Sequence, residues 1–258
     1  MQITVCQLRN DREGFLADWD RLVRHVSAQR GGIVLLPEMP FSPWFPAARN
    51  FDAATWRDAV AAHDAWERRL AELEPATAVG TRPVDYGDGR YAAGFMWNQD
   101  EDIIETIHLK SRLCSEKDAW ETSWYESAIP DFEVATLASI HVGMLIGMEL
   151  WLSDQAKRYG EEGAQIIAVP TAAYSADAAA MDDAWLAGGR AAAEASGAYC
   201  IASSRGTHAN SVGSSGWIIA PDGHTVAITS PEQPIVTAEI DVEPIASRSH
   251  GAARSSEE

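Results

Sequence analysis

The stretch His141 to Trp151, HVGMLIGMELW, constrains the fold more than any other part of the chain. Val142 to Ile146 is a short, uninterrupted apolar run, as expected of a strand buried on both faces. Gly147 then turns the chain, and a helix is expected to open near Glu149 and continue through Asp154, Lys157 and Arg158. Such a strand has to be covered from both sides, which points to a layered α/β domain. The turn also lifts its central residue from the sheet edge. Hydrolases place a nucleophile at such an elbow. Here the elbow residue is glycine, which has no side chain to attack with.

The rest of the chain alternates in the same manner. Ile3 to Leu8 reads as a strand, and Phe15, Trp19, Leu22, Val23 and Val26 share one face of a helix over 11–30. Ile33 to Leu36 is a second buried strand, ended by Pro37-Glu38. A proline-bearing loop over 39–50 leads to a helix expected from Ala53 to Leu73. Thr77 to Gly80 is a strand, and Tyr91 to Trp97 pairs with Ile103 to His108 across a polar turn. Ser111 to Asp131 is an irregular, aromatic and charged loop. After the elbow come a strand from Gln165 to Val169 ended by Pro170, an alanine-rich helix from Asp177 to Ser196, and a strand from Tyr199 to Ser203. Trp217 to Ala220 and Thr225 to Ile228 form a hairpin around Gly223, which supplies a positive φ. Val236 to Ile240 closes the sheet. One domain is expected over 1–246, with a polar tail over 247–258.

The formal net charge of -18 argues against nucleic acid or an anionic membrane as partner, since both need basic surface. The sparse, odd set of cysteines, Cys6, Cys114 and Cys200, is no disulfide framework and fits a reducing cytoplasm. There is no zinc-type spacing, no signal-peptide pattern at the start, and no apolar run long enough to span a membrane.

Three positions follow buried strands: Glu38, Lys110 and Gly147. In open α/β sheets functional groups gather at strand ends. A carboxylate, an ammonium and a nucleophile meeting there would make an acyl-transfer site. The carboxylate takes the nucleophile's proton, and the lysine stabilises charge developing on a carbonyl oxygen or nitrile nitrogen.

Four segments resemble, in order, the nitrilase superfamily of carbon–nitrogen hydrolases: LLPEMPFSPW, HLKSRLCSEKDAWE, VGMLIGMELW and GAQIIAVPTA. The resemblance covers the chain from Met1 to about Ile240. It implies a four-layer α-β-β-α sandwich, a homodimer or larger homo-oligomer, a Glu–Lys–Cys triad, and neither metal nor organic cofactor. By position it implies that Glu38 is the general base, Lys110 the stabilising cation, and Glu121 a second glutamate that positions substrate or relays a proton. The family's cysteine falls on Gly147. Glycine tolerates the backbone of an elbow, but without a thiolate no covalent intermediate forms there. Met148 replaces the tryptophan common in nitrilases proper, which favours the amidase and carbamoylase branches.

Each residue also has a plainer reading. Glu38 alone would serve as a helix cap or surface charge, and Lys110 alone as a solvated lysine. Glu121 alone would be a hydrogen-bonding loop residue. Glu149 either faces the pocket or places negative charge in a first helical turn, and the structural role is preferred. Cys6 and Cys200 read as core thiols, whereas Cys114, four residues after Lys110, borders the expected pocket without being on the elbow. Trp44, Phe45, Trp120, Trp124, Trp151 and Tyr174 are expected as pocket walls for a small amide or nitrile with an apolar arm; core or interface packing is the alternative. Three functions compete: an amide-directed hydrolase whose cysteine has been replaced, a pseudoenzyme that binds an amide-like ligand, and an enzyme that uses Glu38 and Lys110 for non-covalent chemistry.

Overall fold

The computed structural model describes residues 1–87, 89–98, 103–137, 139–172, 178–206 and 215–243, with the side chains of 178–181 left aside. Tyr174 and the expected tail over 247–258 lie outside them. The elements are β1 (Gln2–Arg9), α1 (Arg12–Ser27), β2 (Gly32–Leu35), α2 (Ala53–Glu67), β3 (Ala76–Asp85), β4 (Arg90–Asn98), β5 (Ile103–Leu109), β6 (Ala135–Leu137), β7 (Ile140–Met144), α3 (Ser153–Glu161), β8 (Ile166–Thr171), α4 (Ala178–Ser196), β9 (Tyr199–Gly206), β10 (Trp217–Ile219), β11 (Thr225–Ile228) and β12 (Ile235–Glu239).

The strands follow the order β5-β4-β3-β2-β1-β9-β8-β7-β6. Strand β1 joins two sheets. Its first half pairs with β2 (Ile3 with Ile33) and β12, and its last residues pair with β9 (Gln7 with Ser204). Between the sheets, Val5, Ile33, Leu35, Val79 and Met96 of one meet Val142, Met144, Ile166, Ala168 and Ile201 of the other. The strand period of two sends alternate residues the opposite way. In β8, Ile166 and Ala168 point between the sheets, while Ile167 and Val169 join Tyr159, Trp185, Ala192 and Ala193 under α3 and α4. Both faces of these strands are apolar, which is why they read as uninterrupted runs. On the far side Phe15, Trp19, Leu22 and Val26 of α1 pack on Val34, Leu36, Ala78 and Phe95. The result is the expected α-β-β-α layering. Each fully buried aliphatic side chain in these layers contributes roughly 1.5–3 kcal/mol.

The helices start where side chains can cap them. Asp11 accepts from the Gly14 amide at 2.8 Å ahead of α1, and Asp52 accepts from the Thr55 amide at 2.7 Å ahead of α2.

Several boundaries differ from the sequence reading. The single helix expected from Ala53 to Leu73 is α2 followed by a separate 3₁₀ turn, Leu70–Leu73, whose two leucines are buried beside Trp19. The helix expected from Glu149 is likewise divided: a 3₁₀ turn spans Gly147–Trp151, and α3 begins only at Ser153. Strand β8 does not stop before Pro170 but continues to Thr171. Strand β3 extends past Gly80 to Asp85, sustained by pairing with β4, and β6 was not anticipated. The hairpin forms as expected, with Gly223 at φ +82. No described helix is long and apolar enough to cross a membrane.

Candidate active site

Glu38 lies just beyond β2, Lys110 directly follows β5, Gly147 lies just beyond β7, and Thr171 ends β8. The fold brings these strand ends together. The Lys110 ammonium donates to Glu38 Oε1 at 2.7 Å and to Glu121 Oε1 at 2.6 Å. All three side chains are buried. The second oxygen of Glu121 accepts from the Cys114 amide at 2.7 Å, so Glu121 ties the loop after β5 to the lysine. The backbone at Glu38 is held from several sides. Its amide donates to the Thr171 carbonyl at 3.3 Å, and the buried Arg205 guanidinium donates to the carbonyls of Glu38 and Met39.

Gly147 sits at φ +53, in the left-handed region that favours glycine. A Cβ built there would lie 3.0 Å from Glu38 Oε2 and 3.0 Å from Lys110 Nζ. Both are ends of side chains, so the room for a larger residue needs only small shifts, while the positive φ strains any side chain placed there. A side chain at 147 therefore emerges between the carboxylate and the ammonium.

The charges perturb one another. Burial pushes Glu38 up to about 7, against the pull of Lys110 and helped by the charge of Glu121. Burial works against the Lys110 charge as well, but Glu121 and Glu38 outweigh it and hold the lysine above its ordinary value. Burial, with Glu121 and Glu116 nearby, raises the Cys114 thiol, which keeps it protonated rather than nucleophilic.

A cavity of about 220 Å³ opens over this cluster. Glu38, Lys110, Glu121 and Gly147 line it, as do Trp44, Trp151, Trp185, Met148, Thr171 and Cys114. The expected walls are thus only partly found. Trp44 and Trp151 face the cavity. Trp120 is half-buried under Arg49 instead, and Trp124 is buried against Phe45 with its indole N–H donating to the Ala48 carbonyl. Phe45 packs with Trp56 and Trp124, away from the cavity. Tyr174 lies outside the described residues. Among those residues no three His, Cys, Asp or Glu side chains converge as metal ligands do.

Sequence reasoning missed Trp185, Thr171 and Arg205. Trp185 comes from the middle of α4, where alanine-rich sequence gives no sign of which residue reaches the site. Arg205 ends an apolar strand, and that placement was the only available signal. Cys6 and Cys200 are buried core thiols, as expected.

Comparison with known proteins bears on this arrangement. The family model described as carbon-nitrogen hydrolase matches residues 2–248. Similar solved structures include the carbon-nitrogen hydrolase from Helicobacter pylori G27, with a TM-score of 0.80 at 17% identity over 93% of this chain and 89% of that one. A variant of the amidase from Nesterenkonia sp. AN1, showing Michael addition of acrylamide at its active-site cysteine, has a TM-score of 0.74 at 14% identity over 93% of each chain. Another variant of that amidase, from the nitrilase superfamily, has a TM-score of 0.73 at 15% identity over 93% of this chain and 90% of that one. At such identities the likeness carries the fold. No curated protein sequence matches the chain.

Proposed function

The chain belongs to the carbon–nitrogen hydrolase family, and from that premise we propose that it is an amide-directed hydrolase scaffold in which Gly147 stands at the nucleophile position. Glu38 is the general base, Lys110 the stabilising cation and Glu121 the group that positions Lys110. The observation that carries this reading is the built Cβ of Gly147, 3.0 Å from both Glu38 Oε2 and Lys110 Nζ. A thiol at 147 would begin its path between the group that takes its proton and the group that stabilises the charge it creates.

The chemistry follows from those positions. With cysteine at 147, the sulfur bonds to the amide carbon and its proton passes to Glu38. Negative charge gathers on the carbonyl oxygen, near Lys110. The carbon–nitrogen bond then breaks, Glu38 returns the proton to the departing nitrogen, and ammonia leaves a thioester for water to hydrolyse. With glycine at 147 the first bond cannot form. The chain as it stands is therefore hydrolytically inactive and holds an amide-like ligand without turning it over. The cavity, near 220 Å³, suits a small amide, carbamoyl compound or nitrile whose apolar arm lies on Trp44, Trp151 and Trp185. The same reading includes a single hydrolase-like domain over 1–246, a cytoplasmic setting, and a homodimer or larger homo-oligomer.

The test is ammonia release from a panel of small amides, carbamoyl compounds and nitriles, comparing the chain with Gly147→Cys. Turnover by Gly147→Cys alone is expected. Turnover by the glycine form would refute the covalent mechanism and make Glu38 and Cys114 the residues to mutate. Silence from both chains across the panel would count against the hydrolase reading.

A further inference from the structure

Glu149 is the most heavily bonded carboxylate beside the site, and it does not line the cavity. It is buried between two site-bearing segments. Oε2 accepts from the Ile146 amide at 2.8 Å and from His108 Nε2 at 2.8 Å. Oε1 accepts from the Ser111 amide at 2.7 Å and from the Ser111 hydroxyl at 2.8 Å. These donors are not scattered. Ile146 immediately precedes Gly147, while Ser111 immediately follows Lys110 and His108 lies two residues before it. One carboxylate therefore spans the elbow and the end of β5. His108 is anchored in turn, with Nδ1 donating to the Asp131 carbonyl at 3.0 Å and its ring tilted against Phe132 at 5.2 Å.

We propose that Glu149 is a positioning residue: its bonds to Ile146, His108 and Ser111 hold the Gly147 elbow at its working distance from Lys110. This rests on the reading of position 147 given above. The elbow and the end of β5 lie on different sheets, and no backbone pairing joins β5 to β7. Charge-assisted hydrogen bonds are shorter and stronger than neutral ones. Burial alone would raise the Glu149 carboxyl, but His108 and the amides of Ser111 and Ile146 hold it below the usual carboxylate range. It thus stays an acceptor for all four donors. An amide in its place would turn an N–H toward at least one donor and open the link.

The test installs a thiol at the elbow and reads its reactivity. Iodoacetamide alkylation of Gly147→Cys is followed against pH in the full chain, alone and combined with Glu38→Gln or Glu149→Gln, beside melting curves. Cys114 is replaced by serine throughout, so that the installed thiol gives the signal. Glu38→Gln should change the pH profile, because Glu38 takes the thiol proton. Glu149→Gln should slow alkylation near neutral pH about tenfold and move the thiol's titration upward, as the elbow drifts from Lys110. A residue that only supports the fold would lower the melting temperature and leave that titration in place. Ser111→Ala removes one of the four donors without removing charge. It should give a weaker effect in the same direction, and it carries the test if Glu149→Gln does not fold. Dependence on Glu38 without dependence on Glu149 or Ser111 overturns the positioning role and leaves the reading of position 147 intact. Dependence on neither glutamate overturns both.

Discussion

Lys110→Met removes the one cation between two buried carboxylates and keeps most of the side chain's apolar length. In the structure the ammonium bonds Glu38 at 2.7 Å and Glu121 at 2.6 Å, with all three groups buried. Without it, the two carboxylates lose their counter-charge and keep their burial. Breaking a buried pair by deleting one partner costs roughly 3–5 kcal/mol. For a chain of this size that corresponds to a melting temperature lowered by roughly 6–20 °C. The loss should also depend on pH. Glu38 is held at about 7 even with Lys110 present, and removing the lysine pushes it higher. A carboxyl raised in the folded state contributes stability that is full below its unfolded value and is lost as pH rises through its folded value. The deficit should therefore be greatest near pH 8 and shrink toward pH 5. Denaturant unfolding of both chains at the two pH values measures it. A deficit below about 1 kcal/mol near pH 8, or one that grows on acidification, would refute the reasoning.

Other outcomes follow from the same geometry. In the Gly147→Cys chain kcat/KM should fall as pH drops below about 7, because Glu38 must be ionised to take the thiol proton, and a stopped pH–rate series reads this directly. Glu38→Gln in that background should lower kcat by roughly 10²–10⁴-fold while ligand still binds, as steady-state kinetics and calorimetry would show. Gly160→Ala should destabilise the chain by about 1–3 kcal/mol in denaturant unfolding, since overpacking is costly and the added Cβ would run into the Ser196 carbonyl, where α3 meets the end of α4. Thiol titration of the native chain should detect only Cys114, with Cys6 and Cys200 reacting after denaturation, because those two are buried.

The layers were legible because burial on both faces leaves a strong mark. Ile33 to Leu36 and Val142 to Ile146 could hardly be anything but interior strands, and Glu38 and Gly147 stand out because they follow such runs; Lys110 instead follows β5, which is not the buried strand expected but a largely exposed edge strand. Elements held by partners were harder to read. Arg82 and Pro83 carry no strand signal of their own, yet β3 continues through them along β4. Leu70 and Leu73 fit a continuing helix by spacing, and only the packing around Trp19 shows the change to a 3₁₀ turn. Within the site, Glu38, Lys110 and Glu121 meet as their positions implied. Side-chain direction was not legible. Trp124 and Trp151 looked alike as aromatic loop residues, but one is core and the other faces the cavity. Glu149 shows the same limit. Its place in a first helical turn was visible, but its reach across to His108 and Ser111 depends on two sheets meeting.

The most direct test of the central claim is an intact-mass measurement with peptide mapping on quenched reactions of the chain and of Gly147→Cys with the amide that the latter turns over best. An acyl adduct is expected on the peptide containing residue 147 of Gly147→Cys, and no adduct on the chain as it stands. An adduct on Cys114 in either chain, or ammonia release without any adduct at position 147, would contradict it.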